Sequence, residues 1–181
     1  MESDNTRRRS EFLGKVLSSL VSITTILGVP VALYGYFAAQ QQSRVDRTFA
    51  FYKDFLGSSR QDDVNMLIQI WNAKAGEAQQ YLAKNDQAGL AKLQAALVQE
   101  AKASAAMVRV VEFYDGVGTC VANGLCDNAT AYSLLHDPAY QIVAAYGGYL
   151  STVGKAGTPF ASGIFVISTL PATTASTWWR F

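Results

Sequence analysis

The stretch VLSSLVSITTILGVPVALYGYFAA, residues 16–39, decides how this chain is read. No charged residue stands between Lys15 and Arg44, a run of 28 positions, against the roughly 20 apolar residues that a helix needs to cross a bilayer. The stretch predicts one transmembrane helix over 16–39. One face of it carries only small side chains: Ser18, Ser22, Thr25, Gly28, Ala32, Gly35 and Ala39 recur at steps of three and four. Their mean step of about 3.5 keeps that face turned toward a left-handed partner helix. Small residues let two backbones approach, and hydroxyls add hydrogen bonds between helices. These seven residues are therefore the expected helix-docking face, with Gly28, Ala32 and Gly35 where a partner comes closest. Pro30 removes one backbone donor and is expected to kink the helix. Tyr34, Tyr36 and Phe37 fit an interfacial aromatic belt.

Toward the amino terminus, residues 1–15 form a basic polar tail in which Arg7, Arg8, Arg9 and Lys15 outnumber Glu2, Asp4 and Glu11. The apolar run exceeds the roughly 7 to 15 residues of a signal-peptide core, and Ala38-Ala39-Gln40 is the nearest approach to a cleavage site, so a retained anchor is expected. Arg44, Arg47 and Lys53 almost balance the basic residues on the early side. The tie breaks toward a cytoplasmic amino terminus, since moving three adjacent arginines across a membrane is costly while long domains translocate largely regardless of charge. That places the remainder in the periplasm, with the bacterial inner membrane as the site of anchoring.

Toward the carboxyl terminus no Gly or Pro interrupts Gln40 to Leu56, and Val45, Phe49 and Tyr52 recur at helical spacing, so the helix is expected to continue. Gly57-Ser58-Ser59 reads as a stop, with Ser59 or Asp62 capping a helix that carries Val64, Leu67, Ile68, Trp71, Ala75, Ala78 and Leu82. A third helix follows from Leu90 to Val111, weakened at its end by Gly116 and Gly118. Asp127 with Thr130, and Asp137 ahead of Pro138, look like two successive helix starts. The expectation is an all-α chain: a basic polar tail (1–15), a transmembrane helix (16–39), a small helical-bundle domain (40–157), and an irregular apolar and aromatic tail (158–181). In that tail Trp178, Trp179, Arg180 and Phe181 suit an anchor on a partner or membrane surface.

Charge excludes one class of function. After the span, eleven Lys and Arg face eleven Asp and Glu, and a neutral domain without a basic block makes a poor nucleic-acid binder. No catalytic motif stands out either: no phosphate loop, nucleophile elbow or metal motif occurs, and an enzyme is not expected. His136, the sole histidine, lies beside Asp137, where a hydrogen-bonding role outweighs acid–base work. Glu112 and Asp115 read as a solvated pair. Cys120 and Cys126 flank Asn123-Gly124, whose turn could bring them within bridging reach, so a disulfide is open in an oxidising compartment and a pair of small buried thiols elsewhere. No cofactor, metal or small-molecule substrate is expected.

The span, then Arg44-Val45-Asp46-Arg47-Thr48-Phe49, then Val110-Val111-Glu112-Phe113-Tyr114-Asp115-Gly116-Val117-Gly118 and Asn123-Gly124, together resemble uncharacterised bacterial single-span membrane proteins with a small helical domain of unknown function, over residues 16–150. The resemblance implies a domain kept in the cytoplasm, against the charge reading; the basic tail and the final thirty residues depart from it. The leading expectation is a non-catalytic accessory subunit that docks with integral membrane subunits of a respiratory, photosynthetic or transport complex in the lipid bilayer. The alternative is a membrane-tethered sensor or effector whose helical domain binds a ligand or partner, in a pocket lined by tyrosines of the last helix.

Overall fold

The computed structural model describes the backbone of residues 3–99, 101–154 and 160–171, with the side chains of 28–99, 102–153 and 160–171. Among the described residues there are seven helices and no strand: α1 (Ser3–Gly57), α2 (Arg60–Ala73), α3 (Ala75–Ala83), α4 (Gln87–Gln99), α5 (Ala101–Ala122), α6 (Asn128–Gly154) and α7 (Ser162–Ser168). The chain divides into two compact units, Met1–Ser43 and Arg44–Phe181.

The first unit consists of α1 up to Ser43. The helix runs on through Pro30. Among the described residues no helix is long and apolar enough to cross a membrane. Residues 16–27, half of the expected span with Ser18, Ser22 and Thr25, lie outside the described side chains.

In the second unit α5 is the central element, packed against α2, α4 and α7, while α6 closes over α2, α4 and α7. Met107, Val110, Tyr114 and Val117 of α5 are fully buried, as are Leu67 of α2, Leu135, Ile142, Tyr146 and Leu150 of α6, and Ile164 and Ile167 of α7. Burying side chains of this size is the main force holding such a bundle together, at about 1.5 to 3 kcal/mol each. The final turns of α1 join through aromatic edges: Phe51 and Phe55 lie 6.1 and 5.6 Å from Phe113, ring centre to ring centre.

Several elements differ from the sequence reading. The helix expected to run to Leu82 breaks at Lys74, whose N–H bonds to Trp71 O at 2.9 Å, and Leu82 is exposed. The third expected helix is two, α4 and α5, because Leu93, Leu97 and Val98 turn into the core from an element folded back on α5 and α6. Neither Ser59 nor Asp62 starts α2 by a side-chain cap; Ser58 Oγ accepts the Arg60 N–H instead. The helix starting at Asn128 passes straight through Pro138. Leu135, Ala139 and Ile142 are all fully buried there, so one continuous apolar face outweighs the single backbone donor that proline lacks.

The largest difference is at the carboxyl end. Residues 162–168, expected to be irregular, form α7 and pack into the core. Asp115 holds its start: the carboxylate accepts N–H bonds from Ala161 at 3.0 Å and Gly163 at 2.6 Å. Gly163 then lies so close to Tyr114, Asp115 and Gly118 that no side chain fits at either glycine. Gly118 therefore marks a helix crossing, and α5 continues past it to Ala122.

Polar groups inside the bundle are matched. Tyr146 donates its hydroxyl proton to Leu67 O at 2.7 Å, and Tyr114 donates to Leu135 O at 3.3 Å. Gln94 straddles the ladder of α6: its Nε2 donates to Ala145 O at 2.8 Å and its Oε1 accepts the Tyr149 N–H at 2.9 Å. A Cβ at Gly148 would stand 2.7 Å from that Oε1, so the glycine makes room for the amide.

Candidate functional site

From Gly28 onward α1 presents the late half of the expected docking face. Val29, Val31, Leu33, Tyr34, Tyr36 and Phe37 are each more than half exposed, and Ala32 and Ala39 are exposed as well. A methyl group added at Gly28 or Gly35 would meet nothing within 4 Å. Six large apolar side chains open to their surroundings within nine residues form an unusually apolar surface for a water-exposed helix. Together with the two bare glycines they leave room for another backbone to come close.

The cysteines lie in the second unit, at the turn between α5 and α6. Asn123 Nδ2 donates to Thr119 O, and Gly124 takes a positive φ of 65° while its N–H bonds back to Val121 O. This turn sets Cys120 and Cys126 with Cα atoms 5.2 Å apart, joined as a disulfide. The next residue, Asp127, starts α6 by accepting from both the N–H and the hydroxyl of Thr130, at 2.8 and 2.7 Å. Its own N–H donates to Thr48 Oγ1 at 3.0 Å. Thr48, 0 % exposed, donates its hydroxyl hydrogen bond to Arg44 O. The cysteine turn is thus bonded to the late part of α1, a contact that the sequence reading missed. A lone threonine among charged residues in a helix gives little sign of such a role.

Other residues singled out from sequence fall into structural places. His136 stacks between Tyr132 and Tyr140, with ring centres 4.5 and 5.9 Å away, and its Nδ1 lies 3.1 Å from Asp137 Oδ1. Glu112 and Asp115 part company: Asp115 caps α7, while Glu112 stays exposed. The tyrosines of α6 take different places. Burial pushes the Tyr146 hydroxyl up to about 12 and drives that of Tyr114 upward too, and each hydroxyl is bonded to a backbone carbonyl. Tyr149 lines a groove beside Ala88, Ala91 and Ala95 of α4. Among the described residues no group of His, Cys, Asp and Glu is placed to hold a metal ion. Trp178, Trp179, Arg180 and Phe181 lie outside the described residues.

Fold and surface together define an all-α bundle led by a long helix with an uncovered apolar face. No protein-family model, curated protein or solved structure matches the chain.

Proposed function

We propose that this chain is a non-catalytic, single-span accessory subunit, docked by the small-residue face of α1 into a larger complex of the respiratory, photosynthetic or transport type in a bacterial inner membrane. The observation that carries the reading is the uncovered α1 surface, where Gly28 and Gly35 stand bare among Val29, Val31, Leu33, Tyr34 and Phe37. In hydrocarbon, exposed apolar side chains cost nothing, and close glycine approach is a common basis of helix association. The Cys120–Cys126 bridge supports a periplasmic placement of the domain, because cytosolic thiols are held reduced.

Extraction of native membranes in mild detergent, followed by mass spectrometry of what accompanies the protein, tests the docking. Integral membrane subunits are expected to co-purify with the wild-type chain and to be lost on the double substitution Gly28→Leu and Gly35→Leu. A wild-type protein that leaves the membrane as an isolated monomer would sink the reading. Reporter fusions after Phe181 that act only in the periplasm, or only in the cytoplasm, decide the orientation.

A further inference from the structure

Where the last turns of α1 meet the start of α2 and the middle of α5, a cavity of about 240 Å³ is lined by Phe51, Asp54, Arg60, Arg109, Glu112 and Phe113, among others. Two cations in it are held firmly in place. Buried Asp63 grips Arg109 through two parallel bonds, Nε to Oδ2 at 2.7 Å and Nη2 to Oδ1 at 2.6 Å. Arg60 Nη1 donates to Asp54 Oδ2 at 2.7 Å and to Ser58 Oγ at 3.0 Å, and its guanidinium lies 5.3 Å from the centre of the Phe113 ring. Each anchor uses only part of its guanidinium. Arg109 keeps Nη1, and Arg60 keeps Nε and Nη2, without a partner among the described residues. On the acceptor side, Asp54 Oδ1 and both carboxylate oxygens of Glu112, one turn beyond Arg109 on α5, likewise have no hydrogen-bond donor among the described residues.

The geometry points to a binding site for a small zwitterion, a molecule with an ammonium group and a carboxylate or phosphate a few ångströms apart. A simple anion would meet the free oxygens of Asp54 and Glu112, and a simple cation would meet Arg60 and Arg109. A ligand carrying both signs satisfies both sets. Its anionic end takes the open guanidinium edges, which suit planar oxyanions, and its ammonium takes Glu112 and Asp54. Phe51 and Phe113 line the same depression and give the ligand's carbon atoms apolar surface to rest on. The volume falls below the roughly 300 to 1,000 Å³ of pockets for drug-sized ligands, which restricts the occupant to a compact molecule. Asp63 acts as a positioning residue, holding Arg109 from behind.

Calorimetric titration of the full chain in detergent tests the site, using L-alanine, phosphoethanolamine, L-alaninamide and N-acetyl-L-alanine as probes. Saturable binding of L-alanine or phosphoethanolamine is expected. The tighter of the two identifies a free amino acid or an amino-phosphate of the lipid-headgroup type. L-Alaninamide lacks the anion and N-acetyl-L-alanine lacks the ammonium, so each should bind about tenfold or more weakly than L-alanine or not at all. Glu112→Gln should weaken the bound zwitterion by a similar factor with an unchanged melting temperature, because Glu112 is exposed and the substitution keeps its size. The proposal falls if neither zwitterion gives saturable binding, if L-alaninamide binds as tightly as L-alanine, or if Glu112→Gln leaves affinity unchanged. This site belongs to the helical domain alone, so its failure would leave the docking of α1 untouched, and the reverse holds too.

Discussion

At Gly28 and Gly35 of α1 a methyl group would meet nothing within 4 Å, whereas at Gly118 of α5 and Gly163 of α7 it would collide with the backbone of the facing helix. Both pairs lie in helices rich in small and apolar residues. In the bundle the close approach that glycine permits is already taken up by a neighbour within the chain, with Asp115 fixing α7 in place over the crossing. In the first unit nothing among the described residues occupies it. The comparison teaches that a small-residue pattern has no fixed meaning by itself. It is an internal joint where the chain supplies the second helix, and a surface for another molecule where it does not.

The sharpest way to break this comparison is Gly163→Ala. The new Cβ would overlap Tyr114 O and Asp115 Cα, and overpacking against backbone that cannot swing aside should cost about 3 kcal/mol or more, read as a fall in the chemical-denaturation midpoint. A stable variant would mean that the crossing has slack. Next in size is reduction of the Cys120–Cys126 bridge. With a sequence separation of 6, loop-closure entropy predicts a loss of about 2 kcal/mol in denaturant titrations run with and without dithiothreitol.

Gln94→Leu should cost only about 1 kcal/mol, less than two bonds suggest, because Ala145 C=O and Tyr149 N–H can close on each other once the amide is gone. Alkaline pH acts more gradually. The Tyr146 hydroxyl is raised by burial from 10.0 to about 12, so the fold favours the neutral phenol. Stability should be full below about pH 10 and fall as pH rises toward about 12, with Tyr114 pulling the same way. Circular dichroism against pH checks this; a flat profile across that window would show that neither hydroxyl is sequestered. At the bottom of the scale, Gly28→Leu and Gly35→Leu should leave the unfolding midpoint of the domain unchanged while abolishing partner capture, since no contact in the chain is disturbed.

Legibility from sequence followed how locally each signal was written. The unbroken run to Leu56 gave the late part of α1, which ends at Gly57. Asp127 with Thr130 gave the start of α6 because a cap is a contact across three residues. Pro138 misled, since a rule about one missing donor says nothing about Leu135, Ala139 and Ile142 burying on either side of it. α7 was illegible for a different reason. Its seven residues are too few to display a helical period, and its place depends on Asp115 and Gly118, far earlier in the chain. Matching a lone carboxylate and a glycine on α5 to Gly163 would have been the one available clue. The charged cavity was equally hidden, because Asp54, Arg60 and Arg109 come from three helices and each reads alone as a solvated residue. The cysteine spacing, by contrast, carried its own turn in Asn123-Gly124.

Gln94 has a consequence for how the bundle opens. The Tyr149 amide hydrogen is held by a side chain of α4. When α4 departs, that N–H can pass from Gln94 Oε1 to Ala145 O within α6. The amide then stays protected but changes its acceptor, so the Tyr149 amide chemical shift should mark the undocking of a single helix.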